Sequence, residues 1–307
     1  MEWYWIVLIV IGSLLLLFFI FCLLASGYLV HLLSYPIRYT REHAYKTDKE
    51  DGDVIKGDEV LERKPFELAM RDGYVIHGDV SLNGDSKKFV IISHGYTWNR
   101  EGSIKYALLF YRLGYSIIMY DHRSHGDNVH NDVTMGYKEG PDLAEIINWA
   151  KKTYGEDIYL GLHGESMGAA TVLYVNKFTD KVDFVVADCP YSSLYDLFRF
   201  QIVEHHFPKF LLPLCSMFLK ISHHYSFKDV SPKEVMSKCH VPLLLIHGAV
   251  DGFIPPNESQ FIYDMRDKND ITTLYYCEGA DHAKSLVTNK EKYFEVLQEF
   301  LTQIERK

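Results

Sequence analysis

Cysteine is sparse in this chain: five residues in 307 (Cys22, Cys189, Cys215, Cys239 and Cys277), with no C-x-x-C pair. An odd, unpatterned set gives no sign of a disulfide framework or a zinc site, and fits a reducing compartment. Positive charge is also short. Thirty-two Lys and Arg face 41 Asp and Glu, giving a formal net charge of −9. Without a long basic run, nucleic acid is not an expected partner. There is no P-loop and no G-x-G-x-x-G fingerprint, so no cofactor is expected. Internal repeats and low-complexity segments are missing too.

What is present begins with a run from Trp3 to Val30 that contains no charged residue. At about 1.5 Å per residue it can cross a hydrocarbon core of roughly 30 Å. Trp3, Tyr4 and Trp5 at one end, and Tyr28 and Tyr35 at the other, stand where interfacial aromatic belts belong. A cleaved signal peptide fits worse: no Lys or Arg precedes the run, it is too long, and no A-x-A site follows. Cys22 is a poor lipidation site, because bulky Phe19, Ile20 and Phe21 precede it. We expect a single-pass anchor over residues 1–33, a polar linker over 34–60 and one domain over 61–307. Arg38, Arg41, Lys46 and Lys49 follow the span, so the positive-inside tendency puts that domain on the cytoplasmic side of the cell membrane.

The hydrophobic share of 48% supports a sizeable core, and about 250 residues beyond the anchor suit one α/β domain. Phe66–Met70 and Tyr74–Leu82 flank the turn signal Arg71-Asp72-Gly73 and read as a hairpin. Continuous apolar runs at 88–92, 115–120, 157–163, 182–187, 241–246 and 271–276 read as buried strands. Helical patterns lie between them, at 103–113, 142–152, 259–265 and 290–304. Strands alternating with helices imply right-handed crossovers and a mostly parallel sheet. Between 194 and 229 the rhythm breaks into a Phe-, Leu- and His-rich stretch interrupted by Pro208 and Pro213, which reads as a helical cap.

The chemistry centres on Gly164-Glu165-Ser166-Met167-Gly168, set between a strand and a helix. Strand, G-x-S-x-G, helix is the context of a nucleophile elbow. A serine on so sharp a turn needs glycine two before and two after, where backbones approach closely. The turn also sets the Met167 amide at a helix N-terminus, where an oxyanion can be stabilised. A serine hydroxyl needs a histidine to accept its proton, and that histidine needs a carboxylate. In a parallel sheet both belong just past strand ends. The strand at 241–246 runs into His247-Gly248-Ala249-Val250-Asp251, and that at 271–276 into Glu278-Gly279-Ala280-Asp281-His282. The expected catalytic order is Ser166, Asp251, His282.

On these motifs, with the His94-Gly95 turn after the third strand, the sequence resembles the α/β-hydrolase superfamily from about Val60 onward. Within it the chain looks similar to membrane-tethered bacterial serine hydrolases of the esterase-like or serine-peptidase-like kind. The resemblance implies an α/β-hydrolase fold and an oxyanion hole made by the amides of Met167 and Tyr96. The turn here is H-G-Y-T rather than the H-G-G-G of one lipase branch, so the likeness to that branch is weak.

Rivals exist for each role. Asp188, ending the strand after the elbow, is an alternative acid. Asp281 is expected to be solvated, and Glu165 to serve a structural hydrogen bond. His94 and His247 precede glycines and are explained by turns. His122, His125 and His130 surround Arg123, which argues against a bound cation, and the pairs His205-His206 and His223-His224 diverge on a helix. No metal is expected. The function implied is a membrane-anchored serine hydrolase acting on a small acyl ester or lipid-like substrate. Peptide or acyl-amide cleavage is the alternative, and a non-catalytic membrane-bound binding protein a third; the oligomeric state stays open.

Overall fold

The computed structural model describes residues 2–52 and 57–305. Met1 of the expected anchor, residues 53–56 of the expected linker, and 306–307 lie outside the described residues. The sheet has strands β1 (Lys64–Ala69), β2 (Val75–Ser81), β3 (Lys88–Ser93), β4 (Ser116–Tyr120), β5 (Tyr159–Glu165), β6 (Phe184–Asp188), β7 (Leu243–Gly248) and β8 (Thr272–Cys277). Their order is β1-β2-β4-β3-β5-β6-β7-β8. β1 pairs with β2, and β2 with β4, antiparallel, and every later pairing is parallel. The expected hairpin turns at Gly73, whose φ of 82° favours glycine.

Helices α1 (Trp3–Ser34) and α2 (Arg41–Glu50) precede the sheet. α3 (Ile104–Arg112), α4 (Glu139–Tyr154) and α5 (Met167–Tyr174) alternate with its strands. α6 (Leu194–Glu204), α7 (Leu211–Ser222) and α8 (Pro232–Met236) form the insertion and its exit, and α9 (Asn257–Met265), α10 (Ser285–Thr288) and α11 (Lys290–Glu305) complete the fold. The pleat sorts the strand side chains between two layers. Ile91, Leu162 and Leu245 pack with Leu143, Ile146, Ile147 and Ala150 of α4. Val90, Ile92 and Leu244 face the opposite way, against Phe110 of α3 and Leu297 and Phe300 of α11. This is the α/β-hydrolase fold, with helices on both faces of a mostly parallel sheet.

Two features differ from a simple tether and linker. The stretch expected as linker carries α2, which lies on the domain. Its cap residue Thr40 accepts a hydrogen bond from the amide of His43 at 3.2 Å. Arg41 pairs with Glu101 at 2.6 Å, and the Trp98 indole donates to Asp48 at 3.0 Å. Only Ala44 and Asp48 of this helix are buried, so it had no apolar stripe to reveal it. α1, for its part, has two regimes. Residues 2–21 are exposed all round, whereas Cys22, Ser26, Val30 and Ser34 are buried at four-residue spacing. Cys22 and Val30 of that stripe join a third cluster with Leu197, Ile202, Leu219 and Tyr225 of the cap and with Met167.

Three histidines tie together the turns after β3 and β4. The His94 Nε2 accepts from the His122 amide at 2.9 Å, and the His125 Nε2 accepts from the Thr97 amide at 3.1 Å. A nitrogen used as acceptor must be unprotonated, and burial favours the same state. Burial pushes His122 and His125 each down to about 3, and lowers His94 as well.

Two outcomes follow. Deleting residues 2–21 should leave the midpoint of thermal unfolding nearly unchanged, whereas deleting 2–35 uncovers the cap core and should lower it by about 5–10 °C. Equal midpoints by differential scanning fluorimetry would show that docking of α1 adds nothing. The histidines take up protons in the unfolded chain below about pH 6.5 but stay neutral in the fold. Stability present at neutral pH is therefore lost as pH falls through that value toward about 3. Urea midpoints should drop between about pH 7 and about pH 4, and His125→Asn should flatten the slope. A constant wild-type midpoint would contradict the neutral histidines.

Candidate active site

Ser166 sits between β5 and α5 with φ 56° and ψ −118°, a costly conformation for a residue with a side chain. Its amide is held by the Asp188 carbonyl at 2.9 Å. The flanking glycines make the turn possible. A Cβ on Gly164 would stand 2.3 Å from the Gly168 carbonyl oxygen, and one on Gly168 would stand 2.1 Å from that of Ser93. Met167 opens α5, where a first-turn amide has no intrahelical acceptor. Tyr96 lies in the turn after β3, and a Cβ on the preceding Gly95 would come 3.6 Å from Ser166 Cβ. Both expected oxyanion residues thus border the serine.

His282 follows β8 and Asp251 follows β7. The His282 Nε2 lies 2.9 Å from Ser166 Oγ, and its Nδ1 lies 2.8 Å from Asp251 Oδ2. A carboxylate at Nδ1 fixes the proton there and leaves Nε2 as an acceptor for the serine hydroxyl. Asp251 is well held: Oδ1 accepts from the amides of Phe253 at 2.9 Å and Ile254 at 2.8 Å. Burial alone would raise its pKa, but hydrogen bonds from His247 and His282 outweigh that and hold it well below the usual carboxylate range.

Asp188 goes elsewhere. It is fully buried, its Oδ2 accepts from the Tyr106 hydroxyl at 3.2 Å, and burial beside Glu165 raises its pKa to about 6. Glu165 itself accepts from Tyr106 at 2.5 Å and pairs with Lys105 at 2.6 Å. Asp281 is exposed and accepts from the Gly252 amide at 3.2 Å, joining the loops that carry Asp251 and His282.

Sequence reasoning passed over three neighbours. His247 presents Nε2 to the Ile254 carbonyl at 2.9 Å and to Asp251 Oδ2 at 3.3 Å, so that nitrogen donates; Ser259 meets its Nδ1 at 2.7 Å. The four-residue spacing from His247 to Asp251 was the available signal. The ring of Phe253 lies 5.0 Å from that of His282, and its carbonyl accepts from Gln201 of the cap at 2.6 Å. Cys189 is buried, with ligand atoms of Cys189, Asp251 and His282 within 4.8 Å of one another. It is the one group among the described residues with metal-like spacing, and its histidine and aspartate are already bonded to each other.

A cavity of about 230 Å³ opens at Ser166 and His282, walled by Tyr96, Lys105 and Glu165, by Asp48 of α2 and by Asp51 just after it. A nearly all-apolar hollow of about 150 Å³ lies between Leu29, Val30 and Leu33 of α1 and Phe198, Ile202 and Phe227 of the cap region. A hollow of about 920 Å³ beside Lys177 and Lys238 touches none of the residues above.

Comparison with known proteins agrees with this architecture. An esterase of Pyrococcus furiosus, Pf2001, superposes with a TM-score of 0.68 at 23% identity, covering 88% of this chain and 97% of that one. A Bacillus subtilis (strain 168) protein, the uncharacterised YqkD, is 33% identical over 276 residues, 88% of this chain and 90% of its own. The lysophosphatidylserine lipase ABHD12 of Rattus norvegicus is 23% identical over 189 residues, 57% of this chain and 44% of the lipase. A family model described as X-Pro dipeptidyl-peptidase (S15 family) matches residues 29–210, from the last turns of α1 through the elbow to the cap. That match takes in more than half of the sequence, and the chain belongs to the X-Pro dipeptidyl-peptidase (S15) family, an enzyme among the serine hydrolases of the α/β-hydrolase superfamily.

Proposed function

We propose that this hydrolase is held in the membrane by α1 and cleaves carboxylic esters through Ser166, His282 and Asp251. The observation that carries the reading is the unbroken relay from Ser166 Oγ to His282 at 2.9 Å and on to Asp251 at 2.8 Å. Ser166 Oγ attacks the acyl carbonyl while His282 Nε2 takes its proton, and Asp251 supports the imidazolium. The amides of Met167 and Tyr96 receive the oxyanion. His282 then returns the proton to the leaving alcohol, and the acyl-enzyme is opened by water that His282 deprotonates in turn.

An ester is favoured because it is intrinsically easier to cleave than an amide, and because the cap insertion is rich in apolar and aromatic residues that suit an acyl group. The esterase and lipase among the similar proteins fit the same substrate class. A peptide or acyl-amide bond is the second reading, favoured by the peptidase description of the family. For anchoring, α1 supplies 32 residues of length and apolar composition sufficient to cross a bilayer. Arg38 and Arg41 beyond it favour a cytoplasmic domain.

Ser166→Ala should abolish fluorophosphonate labelling and lower kcat by about 10³-fold or more, with folding unchanged. Comparable turnover in the variant would remove the nucleophile. Asp251→Asn should cost several decades and Asp188→Asn less than about tenfold; the reverse ranking would transfer the acid to β6. A panel of p-nitrophenyl esters and aminoacyl p-nitroanilides decides between the two bonds, and faster anilide cleavage would overturn the ester assignment.

A further inference from the structure

The exposed part of α1 and the cap share a level, and that fixes where the cap sits. Trp3–Phe21, the part of the helix exposed all round, spans about 28 Å at 1.5 Å per residue, close to the roughly 30 Å of a hydrocarbon core. Phe18 lies inside this stretch, yet its ring meets that of Phe210 at 6.2 Å. Higher up, Cys215 Sγ approaches the Ser26 carbonyl at 3.8 Å, and the Phe218 ring lies 3.6 Å from a Cβ built on Gly27. α7 therefore runs parallel to α1, with Phe210 at its deep end. Ending the hydrocarbon below Phe18 would leave only about 22 Å of helix, too short to span.

We infer that the α6–α7 turn, residues 203–210, is a membrane-docking surface that dips into the phospholipid leaflet beside α1. This rests on reading α1 as a span. The turn presents apolar side chains for that position, alongside exposed Glu204, His205, His206 and Lys209. Val203, Phe207 and Phe210 are 50%, 45% and 44% exposed, a clustering that a water-facing turn would not favour. Lys209 between them can carry its ammonium back to the headgroups along its own alkyl stem. Phe210 stands about 5 Å inside the level of Phe21, whereas Ile221, 68% exposed, stands beyond it at the shallow end of α7. His205 and Phe207 of the turn are among the walls of the nearly all-apolar hollow, with Leu29 and Val30 of α1 opposite.

The test uses the full chain in phosphatidylcholine vesicles, in a Trp3→Phe, Trp5→Phe background where Trp98 and Trp149 give a constant baseline. F210W and I221W are compared with chains brominated at mid-depth. The inference expects added F210W emission to be quenched at least about twofold more than that of I221W. A second arm needs catalysis. F210S in the same vesicles should keep kcat/KM on a water-soluble acetate ester within about twofold, and lose about tenfold on a long-chain ester carried in the bilayer. Absence of F210W quenching, in protein that alkaline carbonate fails to extract, overturns the docking while the span stands. A blue-shifted but unquenched F210W would assign the turn to a second copy of the chain, and also overturn it. Extraction by carbonate removes the span reading and the docking together. Quenching without any ester hydrolysis leaves the docking in place and sinks the esterase instead.

Discussion

Everything at this site depends on one backbone constraint, the left-handed turn at Ser166. The turn puts the hydroxyl above the sheet and the following amides at the start of α5. It persists only because Gly164 and Gly168 allow backbone to meet backbone, where a methyl group would stand 2.1 Å from the Ser93 carbonyl oxygen. Ser93 ends β3, the strand that pairs with β5 on one side and β4 on the other. The cost of the turn is thus carried by the centre of the sheet. The histidines His94 and His125 then fix the adjacent turn of Tyr96 from behind, through acceptors that burial keeps neutral.

The same logic separates the two aspartates. Asp188 ends β6, next to the elbow strand, and Asp251 follows β7, one strand further out; both are buried. Asp251 accepts two loop amides and faces His247 and His282, so its charge is solvated by the protein in place of water. Asp188 accepts from Tyr106 beside the Glu165–Lys105 pair, in surroundings that raise its pKa to about 6. One position preserves a carboxylate that can steady an imidazolium, and the other disfavours it. The place of Asp251 just past the strand at 241–246 pointed to it in the sequence; the hydrogen bonds supply the reason.

How much of this was legible follows from what each signal is. The elbow, the buried strands and the loops bearing Asp251 and His282 are local patterns, because a strand buried on both faces must be apolar throughout. α2 was not legible, since its attachment runs through Arg41, Asp48 and the cap of Thr40 rather than an apolar face. Nor was the docking of α1. Cys22, Ser26, Val30 and Ser34 form a stripe of small residues, but in a run that is apolar on every side no hydropathy contrast marks it. The role of His247 was hidden for a different reason, because a histidine before a glycine at a strand end is ordinary until its partner Asp251 is placed.

These hidden contacts join α1 and the site into one packed unit. The last carbonyls of a helix lack intrahelical donors, and in α1 two of them, those of Leu32 and Leu33, accept from the Tyr96 hydroxyl at 3.3 and 2.8 Å. The side chain of Tyr96 therefore grips the end of the apolar helix, while its backbone turns beside Ser166. On the other flank Gln201 of the cap holds the Phe253 carbonyl, and the Phe253 ring covers His282. A displacement of α1 relative to the sheet is felt at the Tyr96 turn, and a displacement of the cap is felt at His282. Since α1 and the cap also pack on each other, the helix, the cap and the two loops of the site form one connected set of contacts.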